Sequence, residues 1–406
     1  MNLKVTDVNQ KLEYDFIQKL IKRRKELKIS QQELADRAGV PQSTVARCEA
    51  MLVSPSLSNI IKFCKILNIE LDYSIFENST KHISLVVDMY GCPNRCMHCW
   101  LGNLPNHILS DTDARFLVDL FNMYFDDVTY YSWLREPDFT KDYRDRWLAD
   151  NLLSKTKPQR FELASFYHIV RDKEYVKFLK EVGTKKVQLT FFGLKELTDK
   201  YVGRVGAFEE LISATKILKE SNIEPRWQIF INQENKDEII KVINLGKEMN
   251  VKEIFVHEGS CDGNNKNLYN IRINKDEIPN EVIPYYLDYN ERLTEKECTE
   301  ILKKDETHFV PSFENDDIVI NITSDFNAYF NYTNPSPKWL IGNILKDPFE
   351  GIVKKILNND VEAINIAKKI TLKELALKYG DINSNKVFSL DDYKMYLLNE
   401  HLSKLK

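Results

Sequence analysis

Three of the seven cysteines in this 406-residue chain crowd into one short stretch, Gly91-Cys92-Pro93-Asn94-Arg95-Cys96-Met97-His98-Cys99-Trp100. Thiols gathered so closely by local sequence serve a metal or a disulfide framework. The odd cysteine count, and an N-terminus (Met1-Asn2-Leu3-Lys4-Val5-Thr6-Asp7) without the apolar core of an export signal, favour a metal. The spacing Cys-x3-Cys-x2-Cys puts three soft ligands on one tight loop. This suits an iron-sulfur cluster in which Cys92, Cys96 and Cys99 hold three irons and the fourth is open to a small molecule. Zinc is the alternative, with His98 or a distant residue as fourth ligand, although no second ligand pair follows at finger or ribbon spacing. Clustering of buried structural cysteines is the plainest reading.

A tight ligand loop needs a rigid support, and the surrounding pattern supplies one. Short β-rich runs at Ile83–Met89, Val128–Trp133, Phe161–Phe166, Lys186–Phe192, Arg226–Asn232 and Lys252–His257 alternate with periodic helices such as Asp111–Phe125, Ala207–Glu220 and Lys236–Met249. Alternation of this kind predicts parallel strands joined by right-handed crossovers. Reactive groups of such sheets gather at the C-terminal strand ends, and the cysteine loop follows the first strand directly.

In spacing, and in the aromatic or imidazole residue before the last cysteine (here His98), the loop resembles the radical S-adenosylmethionine (radical SAM) superfamily. The resemblance implies a (βα)6 partial TIM barrel, one [4Fe-4S] cluster on Cys92, Cys96 and Cys99, S-adenosylmethionine on the open iron, and an external electron donor. It also implies further cofactor contacts. Glu136 in Leu134-Arg135-Glu136-Pro137 stands where the superfamily carries Gly-Gly-Glu-Pro, with both glycines lost. Thr190 in Val187-Gln188-Leu189-Thr190-Phe191-Phe192-Gly193 matches a ribose-contacting hydroxyl. Arg204, in the stretch Tyr201–Phe208, matches a basic residue that meets the cofactor carboxylate, and Asn232 is the polar candidate at the fifth strand end. After the sixth strand, His257 and Cys261 in His257-Glu258-Gly259-Ser260-Cys261-Asp262-Gly263 are the candidates to act on substrate.

Residues 14 to 72 read as a bundle of short helices. Ser30 with Glu33 three residues on is an N-cap pattern, Gly39 ends that helix, and a second helix begins after Pro41. Ser30-Gln31-Gln32-Glu33-Leu34-Ala35, Gly39-Val40, Ser43-Thr44-Val45 and Glu49 resemble the DNA-binding domain of the lambdoid phage repressors and Cro (Xre-type). The resemblance implies that Gln42, Ser43, Thr44 and Arg47 face DNA bases or phosphates, that Gln31 meets the DNA backbone, and that Arg24 and Glu49 form a buried ion pair. The family's glycine after the recognition helix is replaced around Ala50-Met51-Leu52. Through Ser74 there are 12 Lys and Arg against 9 Asp and Glu, and 45 against 52 beyond it, so a mildly basic head precedes an acidic body.

The expected organisation is multidomain: an all-α helix-turn-helix bundle over 1–76, a linker over 77–82, the α/β partial barrel over 83–263, and an α+β extension over 264–406. In the extension, Asp317–Phe330 alternates like a hairpin, Trp339–Ile344 precedes a helix from Phe349, and the last 50 residues read as two or three amphipathic helices that cap the body or meet a second copy in a homodimer. This order resembles the SPASM/twitch region of peptide-modifying radical SAM enzymes without its cysteines, and a peptide substrate is the lean. With 43% hydrophobic and 29% charged residues and no membrane-length apolar run, the chain reads as a soluble, cytoplasmic protein. Two functions remain: an enzyme that generates a 5′-deoxyadenosyl radical, or a transcription regulator that uses the cluster or S-adenosylmethionine as a redox or metabolite sensor.

Overall fold

The computed structural model of the chain describes residues 7–69, 79–99, 101, 104–160, 162–261, 267–311, 317–330 and 336–405. The head is four helices, α1 (Val8–Glu26), α2 (Gln31–Ala38), α3 (Gln42–Glu49) and α4 (Leu57–Ile66). Ser30 caps α2 by accepting the Glu33 N–H at 3.0 Å, and Gly39 closes it in the left-handed conformation. Ile17, Leu20, Leu34, Val45, Phe63 and Leu67 form the head's core. Above this core, Arg24 grips Glu49 through two bonds of 2.6 and 2.8 Å and donates a third to the Ile29 carbonyl, so the ion pair expected between first and third helices is present.

The body alternates strands and helices. In order these are β1 (Ser79–Val87), α5 (Asp111–Asn122), β2 (Phe125–Tyr131), α6 (Tyr143–Leu153), α7 (Phe166–Arg171), α8 (Lys173–Glu181), β3 (Lys186–Phe191), α9 (Lys195–Val202), α10 (Ala207–Glu220), β4 (Glu224–Phe230), α11 (Lys236–Glu248) and β5 (Glu253–His257). β1 begins inside the span read as linker. The strand expected over Phe161–Phe166 is absent. Phe161 lies outside the described residues, Glu162–Ser165 is not strand, and Phe166 opens α7. Its backbone groups have other partners: the Ser165 N–H donates to the Tyr175 hydroxyl at 3.0 Å, and the Ser165 side chain caps α7. Only the Glu162 carbonyl still serves a neighbour, accepting the Gln188 N–H at 2.8 Å.

The strands therefore fall in two main sheets. β3-β4-β5 is parallel throughout, and its residues alternate between buried apolar groups under the helices (Val187, Leu189, Trp227, Ile229) and polar groups on the other face (Gln188, Thr190, Arg226, Gln228). After α12 (Asn267–Asn270), β6 (Leu293–Thr294) and α13 (Glu295–Leu302), the chain returns to the first sheet. There β7 (Asp317–Ile322) pairs in parallel with β1, and β8 (Asn327–Phe330) and β9 (Leu340–Asn343) continue antiparallel, giving the order β2-β1-β7-β8-β9. The expected hairpin and following helix are thus present, and the hairpin extends the sheet that carries the cysteine loop. Phe330 stacks on Trp339 with centroids 5.6 Å apart, and Tyr332 lies outside the described residues. α14 (Phe349–Leu357), α15 (Glu362–Ala367), α16 (Leu372–Tyr379), β10 (Val387–Phe388, paired with β6) and α17 (Leu390–Lys404) complete the chain.

Head and body meet through α1. Lys11, with no exposed surface, is paired with Asp15 and donates to the Asp347 carbonyl at 2.6 Å, while Asp15 accepts the Phe349 N–H at 2.9 Å and so caps α14. The first helix of the head is therefore also a buttress of the body. Lys11→Met leaves a buried carboxylate without its counter-ion, and a loss of about 3 kcal/mol is expected in urea unfolding. Asp15→Asn, which can still accept from Phe349, is expected to cost less.

Candidate active site

All parallel strands of the body end on one side, and the loops that follow them build the site. The end of β1 is fixed first. Asp88, 2% exposed, takes two hydrogen bonds from Arg135 at 3.0 and 2.9 Å. Arg135 also donates to the carbonyls of Leu104 and Pro105 at 2.8 and 3.1 Å, joining the ends of β1 and β2 to the chain beyond the cysteines. Asn106 brackets Cys92, accepting its N–H at 3.2 Å and donating to its carbonyl at 3.0 Å. Gly91 must be glycine here, since its φ is +89° and a Cβ would stand 2.2 Å from the Asn106 oxygen.

Cys92, Cys96 and Cys99 are each partly buried free thiols. Burial pushes the Cys92 thiol up strongly, with the charges of Glu136 and the other two thiols adding; burial and Cys99 push Cys96 up to about 12. Among the described residues, no three His, Cys, Asp or Glu side chains converge on a single-ion site. An iron-sulfur cluster asks for something else, three thiolates that each bind a different iron. The donor set fits such a group: three sulfurs on one loop repel one another as anions and need cationic charge among them to ionise together.

The other expected residues surround this loop unevenly. Glu136 is half-buried 3.9 Å from the Cys92 sulfur, its carboxyl raised to about 7 by desolvation, and its buried Oε1 has no hydrogen-bond partner among the described residues. An unserved acceptor at this place suits an ammonium or amide donor. His98 packs against the stacked rings of Phe192 and Phe230, centroids 4.6 and 4.8 Å away, and burial lowers it to about 4, so it is neutral near pH 7. Thr190 donates to Gln228 at 3.2 Å on the polar face of β3-β4-β5. His257, also lowered to about 4 by burial, bonds to Gln228 through Nε2 and accepts the Gly259 N–H at 3.2 Å through Nδ1.

Three candidates have other engagements. Asn232 binds the Tyr201 hydroxyl, the Glu234 N–H and, through its own N–H, Asn235, so it builds the turn after β4. Arg204 has both terminal nitrogens on Glu210, at 2.7 and 2.6 Å, and its Nε on Asn94 at 3.0 Å. Cys261 lies in the apolar core. Asp88, Asn94, Asn106 and Arg135 escaped sequence reasoning. The signal for Arg135 was its place in the motif where two glycines are usual, and for Asp88 its charge at the end of an apolar strand.

In the head, Ser43 and Arg47 are exposed and Gln42 and Thr44 half-buried along α3. Gln31 donates to Glu49 at 2.7 Å and accepts from Gln42 at 3.1 Å, which links the recognition helix to the ion pair beneath it. Met51 holds a left-handed φ of +56° in the loop where the family's glycine is replaced.

Residues 20–74 match the family model described as Helix-turn-helix, so the chain opens with a helix-turn-helix domain. Beyond it stands an α/β body. The chain is 24% identical over 208 residues to the Fe-coproporphyrin III synthase of Methanosarcina barkeri (strain Fusaro / DSM 804), a stretch that is 50% of each protein, so it spans about half the length of the curated relative it matches. Among solved structures, native anSMEcpe with bound AdoMet and Cp18Cys peptide is 14% identical, with a TM-score of 0.46 over 79% of this chain and 96% of that one. Streptococcus suis SuiB bound to precursor peptide SuiA is 13% identical, with a TM-score of 0.42 over 81% and 80%. Among the described residues no helix is long and apolar enough to cross a membrane.

Behind Glu136, Asp150 on α6 is 2% exposed and accepts the N–H and hydroxyl of Ser132 at 3.0 and 2.9 Å; burial raises its carboxyl to about 7. The folded state therefore holds a proton that the unfolded chain releases near its ordinary value of 3.8. Stability from this group is fullest below that value and is lost as pH rises toward 7. Relative to Asp150→Asn, the native protein is expected to lose about 2 kcal/mol between pH 5 and pH 7 in urea unfolding followed across pH.

Proposed function

We propose that this protein is a radical SAM enzyme with a sequence-specific DNA-binding head. The observation that carries this reading is the Cys92/Cys96/Cys99 loop at the C-terminal end of β1, beside Glu136, whose buried Oε1 has no partner among the described residues. When bound, a [4Fe-4S] cluster with S-adenosylmethionine supplies one-electron reductive cleavage to methionine and a 5′-deoxyadenosyl radical that abstracts hydrogen from substrate. Cys92, Cys96 and Cys99 would hold the cluster, and Glu136 would receive the amino group of S-adenosylmethionine. Asn106 and Arg135 hold the loop in place, and Phe192 and Phe230 wall it off from water with His98. Thr190 is available to a ribose hydroxyl.

The polar face of β3-β4-β5, with Gln188, Thr190, Gln228 and His257, suits a substrate that carries amide groups, and we assign a peptide. Of the two residues expected to act on substrate, His257 has the better position: it is neutral, faces this polar surface and is able to accept or return a proton. Cys261, packed in the core, would reach substrate only if its loop moved. An external donor supplies the electron.

One cluster is assigned, because the cysteines beyond this loop, Cys48, Cys64, Cys261 and Cys298, are all buried in apolar cores. Anaerobic reconstitution is expected to give about four irons per chain, all lost when Cys92, Cys96 and Cys99 become alanine. Dithionite with S-adenosylmethionine should then yield 5′-deoxyadenosine. A well-formed cluster that never produces it would sink the enzyme reading.

The buttress formed by α1 favours a second role, in which the state of the body is felt by the head. A ligand of the body alters DNA affinity only if it binds the DNA-competent and incompetent arrangements differently. Equal operator affinities for apo, oxidised and reduced protein would remove this role. DNA binding itself rests on Gln42, Ser43, Thr44 and Arg47, with Gln31 buttressing them and reaching the DNA backbone. One head covers a half-site, so a homodimer on a palindrome with half-sites about one helical turn apart is expected. Arg47→Ala should weaken binding to the preferred sequence more than to random DNA in gel-shift titrations; equal losses would mean that Arg47 touches only phosphate.

A further inference from the structure

We propose that the segment Tyr201–Arg204 at the end of α9 is a clamp on the cysteine loop, and that Arg204 is a positioning residue that acts on the Cys92 sulfur through Asn94. The clamp is built from main chain and side chain together. The N–H of Arg95 donates to the Val202 carbonyl at 3.0 Å and the N–H of Met97 to the Tyr201 carbonyl at 2.8 Å, so the loop between the first and last cysteines is stitched to the helix end. At Gly203, with φ of +72°, a Cβ would stand 2.7 Å from the Arg95 carbonyl oxygen; the two backbones touch at a place where only glycine fits.

Arg204 closes the clamp. Glu210 takes both terminal nitrogens and also binds Arg171, and the guanidinium lies over the rings of Phe166 and Tyr167, so the fork is held from three sides. Its remaining Nε–H donates to Asn94 Oδ1 at 3.0 Å. Asn94, 6% exposed, points its own N–H at the Cys92 sulfur, 3.4 Å away. Hydrogen bonds to cluster sulfurs tune reduction potential, so this chain of contacts sets both the place of Cys92 and the electron density on it. With its Nε–H on Asn94 and both terminal nitrogens on Glu210, Arg204 orients the ligand loop rather than meeting the cofactor carboxylate.

The clamp is a property of the apoprotein, although its use rests on the cluster reading, and the two are tested separately. In cluster-free, folded protein, alkylation of Cys92 and Cys96 by iodoacetamide is followed by mass spectrometry, with buried Cys48, Cys64 and Cys298 as internal references. Arg204→Met, Asn94→Ala and Gly203→Ala are each expected to speed alkylation of the loop about tenfold, from loss of contacts worth roughly one charge-assisted hydrogen bond. Glu210→Gln discriminates between the two roles of Arg204: it loosens the clamp and speeds alkylation, whereas an arginine that served the cofactor carboxylate would be freed and bind S-adenosylmethionine more tightly.

In reconstituted protein the same variants are expected to lower the cluster midpoint potential and alter its reduced EPR spectrum before any S-adenosylmethionine is added. Alkylation within twofold of the native rate in folded Asn94→Ala and Gly203→Ala overturns the clamp, whatever becomes of Arg204→Met. Faster alkylation in variants of a protein that assembles no cluster in its native form keeps the clamp and rejects the cluster reading instead.

Discussion

The buried pair of Asp88 and Arg135 is the constraint on which the rest of the site depends. Withdrawing both charges from water is costly, and only dense hydrogen bonding offsets it. Arg135 supplies that bonding by serving Asp88 and two carbonyls of the chain beyond the cysteines at once. One guanidinium thereby fixes the spacing of β1, β2 and residues 104–105, and Asn106, next along, is delivered to Cys92. Glu136 follows Arg135 directly, so the anchor that holds the cysteine loop also places the carboxyl beside it.

On the opposite flank main-chain contacts hold the loop, closed by the partly exposed Arg204–Glu210 pair. Backbone bonds to Tyr201 and Val202 and the contact at Gly203 need no counter-ion, and the aromatic wall of Phe192, Tyr201 and Phe230 continues to His98. The two sides have different tasks. The Arg135 side is polar and satisfies the ends of strands; the Phe192 side is apolar and keeps His98 neutral.

Much of this was legible in the chain. Alternation in Lys186–Phe191 and Glu224–Phe230 marks strands with one face under helices, and the cap Ser30 and the turn residue Gly39 bound α2 within a residue. What failed was decided by distant partners. The run Phe161–Phe166 reads as a strand, but Tyr175 takes the Ser165 N–H and the chain turns into α7 instead. The pairing of β7 with β1 joins residues more than two hundred positions apart, which no local pattern encodes. Around the site, Cys92, Cys96 and Cys99 announce themselves by type and spacing. Asn94, Asn106 and Arg135 do not, because an amide or a guanidinium has no meaning until its acceptors are known. The partners of Arg204 and Asn232 were likewise invisible, since Glu210, Tyr201 and Glu234 carry no signature as receivers.

β1 has parallel neighbours on both sides, β2 at Phe125–Tyr131 and β7 at Asp317–Ile322. During synthesis at the ribosome, β2 arrives soon after β1, but the other edge stays open until some two hundred further residues have been made. Contacts of such long sequence separation form late, and an unpaired apolar strand invites wrong partners in the meantime. The cysteine loop hangs from the end of this strand, so its thiols are displayed on an unfinished sheet for most of translation. Metal delivered before β7 docks would meet a mobile, oxidisable trio of sulfurs, whereas metal delivered afterwards meets a finished socket. Maturation of a metal site on this loop would thus be timed by the arrival of a strand that contributes no ligand.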